Sequence, residues 1–326
     1  MDPVADPISF QPGRSPATSF LSRRWAELKM VVDGYFGDRV PRMAAALSYY
    51  TIFSLAPLLV IAVAFARFAF DEDSARGHVA DQFRAVVGEQ GAVAIQTMIE
   101  NTHRDEGNLL ATVIGLVTLL IGATGVFGEL QDSLNSIWKV QARPGRTLRL
   151  MLRSRLLSFA MVFGSGFLLL VSLVLSAALT AAGAWLQALS GGWWHASMAL
   201  DLILSFIVIG LLCGASFKLL PDASMRWRDV WLGALLTSVL FTAGKSLIGL
   251  YLGKSAIAST YGSMGALAVL LIWVYFSSQA FLIGALFTRA HAVLAGSVST
   301  PLRDAEWIPG HDAGTVIREA SKRLEA

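Results

Sequence analysis

Long stretches with few or no charged side chains constrain this chain more than any other feature of its sequence. A helix that crosses the hydrocarbon core of a bilayer needs about 20 consecutive, mainly apolar residues. Stretches of that length and character occur at residues 43–66, 107–128, 156–184, 198–220, 229–252 and 262–288. They predict an all-α, polytopic membrane protein built as a six-helix transmembrane bundle.

The overall composition favours the same class of protein. Charged residues make up 15% of the chain and hydrophobic residues 55%, whereas about 25% of a soluble domain is charged. So few charges could hardly cover a water-exposed surface. Cys213 is the one cysteine, so an internal disulfide is excluded. Residues 1–42 carry no apolar core of a signal peptide, and we expect the first apolar stretch itself to direct insertion.

The distribution of Lys and Arg predicts the orientation of the bundle. Most of the 26 basic residues fall in the N-terminal segment, the loop after the second apolar stretch, the turn after the fourth stretch and the C-terminal tail. These four segments lie on one side of a six-span arrangement. Because cytoplasmic loops are enriched in Lys and Arg, we expect both termini in the cytoplasm.

This topology divides the chain into three regions. Residues 1–42 form a cytoplasmic N-terminal segment, residues 43–292 the membrane domain and residues 293–326 a cytoplasmic tail. Within the membrane domain, apolar residues recur at helical spacing in the outer loop 71–107, which predicts short amphipathic helices. The inner loop 139–155 is strongly basic.

Ionisable and polar residues inside the apolar stretches form the first candidate site. Lys245 interrupts the fifth stretch and Asp201 the fourth, and both lie toward the predicted outer side. A charge in the middle of a bilayer costs roughly 2.5–3.5 kcal/mol on insertion scales. The two residues could belong to a substrate or proton path, or they could be a structural ion pair or a snorkelling lysine. Gln279 and Tyr275 in the sixth stretch could line a cavity or hydrogen-bond a neighbouring helix.

Pro57 lies within the first apolar stretch. A proline removes one helical hydrogen bond and frees the carbonyl group one turn earlier. Pro57 is therefore a candidate hinge or part of a cavity wall. Its alternative role is a structural kink alone.

A polar cluster follows the second apolar stretch, at its inner end. Glu129, Asp132 and Asn135 recur every three residues, which places them on one side of a helix. We treat them as a candidate inner-face polar cluster. The alternative is a solvated helix end without a specific role.

Four arginines recur at three- and four-residue spacing in the basic inner loop, namely Arg143, Arg146, Arg149 and Arg153. That spacing puts them on one helix face, where they are candidate contacts for anionic lipid head groups. The alternative is that they only anchor the topology of the chain.

The chain lacks the residue patterns of metal-dependent hydrolysis. Phosphodiester hydrolysis usually employs metal ions held by clustered carboxylates or histidines, and none of the five histidines is paired at ligand spacing. The sequence also contains no Gly-rich phosphate loop and no nucleotide-binding motif. We predict that the protein is not an enzyme and holds neither a metal ion nor a cofactor.

Several short motifs in a fixed order resemble those of a known family. They are the segments 44–59, 127–138, 220–222, 227–234, 261–265 and 271–275, the third of which reads Leu220-Pro221-Asp222. Over about residues 25–292 the chain resembles the YihY/BrkB family of bacterial inner-membrane proteins. The resemblance implies a multi-pass protein of the bacterial inner membrane. The family was once labelled as a ribonuclease, a label now regarded as mistaken, and one branch of the family is proposed to move lipid A precursors across the inner membrane.

Two functions of different classes agree with these observations. The first is a transporter or flippase-like exporter of an amphipathic, anionic lipid or metabolite, driven by an ion gradient or by a partner protein. The second is a non-transporting membrane scaffold or envelope-organising protein. In either case we expect membrane lipids as partners and no nucleic acid, and a homo-oligomer is compatible with the sequence.

Overall fold

The structure is a computed structural model in which helices account for most of the secondary structure. It describes residues 20–66, 96, 125–143, 194–254, 263–297, 299–302 and 304–325. The helices are α1 Phe20–Gly37, α2 Val40–Ala66, α3 at residues 125–138, α4 Trp194–Leu219, α5 Trp227–Lys254, α6 Ser263–Leu294 and α7 Ala313–Glu325.

Four of the six predicted apolar stretches coincide with described helices, which are α2, α4, α5 and α6. The stretch 107–128 is described only from residue 125, and the stretch 156–184 lies outside the described residues. Within the described residues, the segment Leu267–Leu294 is long and apolar enough to cross a membrane, with a mean hydropathy of 1.9. A shorter apolar helix runs over Phe206–Leu219. Both segments overlap stretches that the sequence predicts to be transmembrane.

Helices α5 and α6 approach closely because glycines face each other across their interface. A Cβ atom on Gly233 would lie 1.7 Å from Oγ1 of Thr288, and one on Gly284 would lie 1.8 Å from Oγ1 of Thr237. Each threonine hydroxyl donates to the glycine carbonyl one turn earlier in its own helix, at 2.8 Å. The polar atoms of this interface are therefore satisfied locally, and small residues allow the backbones to meet.

Helix α4 packs against an adjacent face of α5 in an antiparallel arrangement. Gly210 lies beside Ser238, and Gly214 lies beside Ala234. Helix α4 ends at Leu219 because Pro221 follows, since a proline cannot continue the helical hydrogen bonding. Helix α5 then begins after Arg226, whose carbonyl accepts the first helical hydrogen bonds from the backbone amides of Asp229 and Val230.

Two short antiparallel ribbons, which the sequence does not predict, join distant parts of the chain. Strand β1 is Val140–Ala142 and strand β2 is Ala223–Ser224. They pair with strands of the C-terminal region, β4 Ala305–Trp307 and β3 Thr300–Pro301 respectively. The ribbons gather the end of α3, the α4–α5 turn and the segment after α6 at one end of the helices, which we call the ribbon end.

Helix α1 lies along the C-terminal half of α6 and runs antiparallel to it. Successive contacts join Glu27 to His291 and Tyr35 to Gln279. The opposite side of α1 exposes an apolar stripe of Trp25, Leu28, Val32 and Phe36. Their spacing of three and four residues places the four side chains on one face.

The described core is largest toward the ribbon end. Its fully buried members include Trp138, Phe217, Val230 and Leu282, each from a different helix. Large apolar side chains are exposed along the outer surfaces of α2, α4, α5 and α6, among them Phe53, Ile203, Ile207, Leu235, Val239, Leu271 and Phe276. Such a surface suits helices whose surroundings are lipid.

Candidate functional site

A cavity of about 280 Å³ opens at the ribbon end, between the end of α3 and the α4–α5 turn. We call it the polar cavity. Helix α3 contributes four of its lining residues, strand β1 contributes three, and the turn and the C-terminal region contribute one each. The lining residues are Gln131, Asp132, Asn135, Ser136, Val140, Gln141, Ala142, Asp222 and Ile308.

Asp222 is the centre of the hydrogen bonding around this cavity. Its carboxylate accepts hydrogen bonds from Nδ2 of Asn135 at 3.1 Å and from Nε2 of Gln131 at 3.4 Å. In return, the backbone amide of Asp222 donates to Oδ1 of Asn135 at 2.8 Å. The buried Asn135 side chain is thereby used as both donor and acceptor. This exchange fixes the α4–α5 turn to α3.

The structure brings two members of the predicted inner-face polar cluster into this cavity. Asp132 and Asn135 line it, whereas Glu129 is not among the lining residues. Glu129 follows the apolar stretch of its helix and is half-buried. Burial raises the pKa of its carboxyl group, the negative charge of Asp132 raises this pKa further, and the positive charge of Arg42 opposes both effects.

The C-terminal region closes one side of the polar cavity. The amide of Ile308 donates to the carbonyl of Lys139 at 3.0 Å, and Nε2 of Gln141 donates to Oε1 of Glu306 at 3.0 Å. The backbone amide of Arg143 donates to the carbonyl of Asp304 at 3.2 Å. The other three arginines of the predicted head-group contact, Arg146, Arg149 and Arg153, lie outside the described residues.

An ion pair joins the cavity rim to the α1–α2 turn. The Lys139 ammonium group donates to the carboxylate of Asp38. Lys139 and Arg39, the neighbour of Asp38, both have a positive φ, at 58° and 56°. A non-glycine residue in this conformation costs about 1–2 kcal/mol. The ion pair therefore joins two segments with strained backbones, which are the α1–α2 turn at Arg39 and the residue that follows α3, Lys139.

The predicted polar residues of the sixth stretch have different surroundings. The hydroxyl group of Tyr35 in α1 donates to the side-chain carbonyl of Gln279, so Gln279 joins two helices. Tyr275 is half-buried, and its ring packs edge-on against Phe276 at 5.7 Å between ring centroids. Neither residue lines the polar cavity.

Lys245 and Asp201 lie in the helical parts of α5 and α4, but their side chains are outside the described residues. The contacts Gly210–Ser238 and Gly214–Ala234 set the antiparallel register of these helices. Extending that register brings residues 201 and 245 within about one helical turn of the same level. Position 245 is on the same side of α5 as Ser238, but position 201 is about 180° around α4 from Gly210. Their pairing therefore stays a prediction.

Pro57 lies inside α2, and this helix continues unbroken to Ala66. The proline therefore does not end the helix. Its role as a hinge stays a prediction.

Several lining residues of the polar cavity were missed by sequence reasoning. Asp222 belongs to a recognised motif, Leu220-Pro221-Asp222, but that motif gives no sign of its contact with Asn135, 87 residues away. Ile308 lies in a tail segment with no local signal for a site. Among the described residues, no group of three or more His, Cys, Asp or Glu side chains could hold a metal ion.

Comparison with known proteins places the chain in a family. The family model "Virulence factor BrkB" matches residues 31–305. A UPF0761 membrane protein of Xanthomonas campestris pv. campestris is 28% identical over 258 residues, which cover 77% of this chain and 57% of the relative. A UPF0761 membrane protein of Xanthomonas oryzae pv. oryzae is 29% identical over the same shares of the two chains.

The chain thus spans little more than half the length of these curated relatives. No solved structure matches it. The family match covers most of the sequence and confirms the resemblance found in the motifs. The chain therefore belongs to the YihY/BrkB family of membrane proteins.

Proposed function

We propose that this protein is a multi-pass transporter of the bacterial inner membrane, with six transmembrane helices and both termini in the cytoplasm. Its substrate is an amphipathic, anionic lipid or metabolite, moved in the manner of a flippase-like exporter. The observation that carries this proposal is the polar cavity at the ribbon end of helices whose other surfaces are apolar.

The contacts at the ribbon end support the proposed topology. The sequence assigns four segments to the cytoplasm, and parts of all four meet there. Strands β1 and β2 pair with the C-terminal strands, and Asp38 of the N-terminal segment pairs with Lys139. Segments that touch in this way belong on one side of a membrane. Their excess of Lys and Arg favours the cytoplasmic side.

The polar cavity also has the construction expected of a site for the coupling proton or cation of such a transporter, since Asp132 and Asp222 line it without a basic residue. Its wall combines parts far apart in the sequence, so a shift of α3 relative to the α4–α5 turn would change its shape. Asn135 and Asp222 join these two parts by reciprocal hydrogen bonds. A binding site at such a junction can respond to movement of one part against the other.

Proteoliposomes provide the test. Purified protein is reconstituted with a fluorescent, short-chain phosphatidylglycerol, and movement of the label between leaflets is followed with and without a proton gradient. We expect faster movement than in protein-free liposomes. Asp132→Asn should slow the movement driven by the proton gradient at least several-fold without changing the melting temperature, because this change removes the negative charge that would attract a coupling proton or cation and keeps the side-chain shape.

Asp312→Asn is the matched control, since Asp312 is exposed and caps α7 away from the cavity. Asparagine caps helices about as well as aspartate, so this variant should transport like the wild type. A folded protein that moves none of the tested anionic lipids or metabolites under either condition would contradict the transporter and favour the scaffold. We include no catalytic activity in the proposed function, and expect no RNA cleavage by the purified protein.

A further inference from the structure

A second cavity at the ribbon end, of about 260 Å³, differs sharply in charge from the polar cavity. We call it the arginine cavity. It lies where α1, the start of α5 and the end of α6 meet. Its lining residues are Arg23, Arg24, Glu27, Arg226, Arg228, Asp229, His291, Ala295 and Ser297.

Glu27 holds one wall of this cavity in place. Its side chain is 2% exposed and accepts a hydrogen bond from Nη1 of Arg24 at 2.7 Å. Nδ1 of His291 lies 3.0 Å from the same carboxylate, and Nε of Arg23 lies 3.9 Å from it. One buried carboxylate therefore positions two guanidinium groups and an imidazole at the cavity wall.

The opposite wall is supplied by the first residues of α5. Nη1 of Arg226 donates to Oγ of Ser297 at 3.3 Å. The side chain of Arg228 forms no hydrogen bond or ion pair with the described part of the chain. Both arginines keep donors for a further acceptor. The positive end of the α5 dipole adds to their charge.

The charges around the arginine cavity do not balance. Four arginines face two carboxylates, Glu27 and Asp229, which leaves an excess of two positive charges when His291 is neutral. Guanidinium groups bind phosphate oxygens through paired hydrogen bonds, and a phosphate group carries one to two negative charges. A phosphate group therefore fits both the charge and the donors of this cavity.

Exposed apolar side chains flank the cavity and indicate where such a phosphate comes from. Trp25 follows Arg24 directly and is 68% exposed, and Trp227 lies between Arg226 and Arg228 and is 51% exposed. Tryptophan is enriched at the level of lipid head groups. From Trp25 the apolar stripe of α1 continues through Leu28 and Val32 to Phe36. Acyl chains could lie along this surface while their head group occupies the cavity.

We propose that the arginine cavity binds the phosphate group of an anionic phospholipid from the adjoining leaflet. This binding goes beyond the transport function, because a scaffold would hold the same head group equally well. The four arginines supply the donors, Glu27 orients two of them, and the exposed tryptophans contact the glycerol and upper acyl region.

Equilibrium binding tests this site without any gradient. Full-length protein in a neutral detergent is titrated with fluorescent, short-chain phosphatidylglycerol, and parallel titrations use phosphatidylcholine and inorganic phosphate. We expect the anionic lipid to bind most tightly, with an affinity that falls as salt is added. Arg226→Gln combined with Arg228→Gln should weaken its binding about tenfold or more, because charge-assisted hydrogen bonds are lost.

The control carries the same loss of charge elsewhere. Arg318→Gln combined with Lys322→Gln changes two exposed residues of α7 and should leave lipid binding unchanged. Arg228→Gln alone serves if the first double variant does not fold, with a smaller loss of affinity expected. Equal binding by the wild type and the α5 variants would overturn the site. Inorganic phosphate that binds as tightly as the lipid, with the same dependence on Arg226 and Arg228, would overturn its assignment to a lipid.

Discussion

The two cavities at the ribbon end are similar in volume but opposite in charge. Asp132 and Asp222 line the polar cavity without a basic residue, whereas four arginines line the arginine cavity. Asp222 and Arg226 lie only four residues apart on the α4–α5 turn, yet they face different cavities. One short turn therefore divides the ribbon end into an acidic and a basic compartment.

The carboxylates of the two cavities are also held in different ways. Asp222 accepts hydrogen bonds from the neutral amides of Asn135 and Gln131. Glu27 contacts the guanidinium group of Arg24 and the imidazole of His291. The hydrogen-bond donors that join Asp222 to α3 are thus neutral amides, whereas the groups around Glu27 include two guanidinium groups. The acidic lining of the polar cavity suits a coupling cation or proton, and the excess of arginine in the arginine cavity suits an anion.

The largest expected effect comes from separating α5 and α6, which would disrupt the arginine cavity more than the polar cavity. Gly233→Ala would place a Cβ atom 2.8 Å from the carbonyl oxygen of Gly284 and closer still to Thr288. Because backbone atoms must move, we expect the free energy of unfolding to fall by about 3 kcal/mol. Thermal unfolding in detergent measures this change.

Gly244→Ala, in the same helix, is the control, since a Cβ atom there meets nothing within 4 Å. It should be neutral or slightly stabilising, because alanine favours a helix. Similar melting temperatures for the two alanine variants would contradict the close approach of α5 and α6.

Neutralising the carboxylates of Glu27 and Asp222 should reduce the free energy of unfolding by smaller amounts, which differ between the two residues. Glu27→Gln removes the negative charge that Arg23, Arg24 and His291 share, and we expect the free energy of unfolding to fall by about 2 kcal/mol, an effect reduced by the exposure of the arginines. Asp222→Asn should cost about 1 kcal/mol, because an amide group meets the donors of Asn135 and Gln131 less well. Chemical unfolding of both variants measures the two losses. A larger loss of unfolding free energy for Asp222→Asn than for Glu27→Gln would contradict the expectation that contacts with charged partners contribute more than contacts with neutral ones.

The smallest expected effect is a pH dependence beside the polar cavity. The folded-state pKa of Glu129 lies above its ordinary value. Its contribution to stability is therefore fully present at a pH below its unfolded-state pKa and is lost as the pH rises through the folded-state pKa. Melting temperatures between about pH 4 and pH 7 should show that Glu129→Gln removes this decline.

The pH dependence that Asp312 contributes to stability has the opposite sign, so this residue serves as a comparison within the same protein. The hydrogen bond from the backbone amide of Thr315 lowers the pKa of its carboxyl group. Its contribution is present above the unfolded-state pKa and is lost as the pH falls through the folded-state pKa. A wild-type stability that rises from pH 4 to pH 7 in a manner dependent on Glu129 would contradict the burial of that residue.

The long apolar helices could be predicted from sequence because a stretch that lies in lipid leaves the backbone few alternatives. Without water to bond its amides, an apolar stretch such as that of α6 must form a helix. Helix α1 was missed because its arginines and Glu27 interrupt its apolar pattern. The ribbons were missed because strands of two or three residues carry little local signal and depend on partners such as Gln141 and Glu306, which are 165 residues apart.

The residues of the candidate sites also divide into those that a local sequence pattern predicts and those that only tertiary contacts bring together. Asp132 and Asn135 were predicted together because they lie on one helix face, which is a local property. Asp222 joins them only through tertiary contact. The residues of the arginine cavity belong to three segments that are distant in the sequence. The sequence shows that these segments contain basic residues, but it does not show that they meet at one cavity. Periodicity along one helix can be read from sequence, whereas proximity between helices requires the fold.

The C-terminal strands have a consequence for the order in which the protein is assembled. A chain is synthesised from its N-terminus, and β1 and β2 emerge long before their partners β3 and β4. Until residues 300–308 leave the ribosome, the edges of β1 and β2 lack these partners and the polar cavity lacks the side chain of Ile308. The ribbon end can therefore close only after the preceding helices have been synthesised. The polar cavity can therefore be complete only in a chain whose synthesis has passed the C-terminal strands.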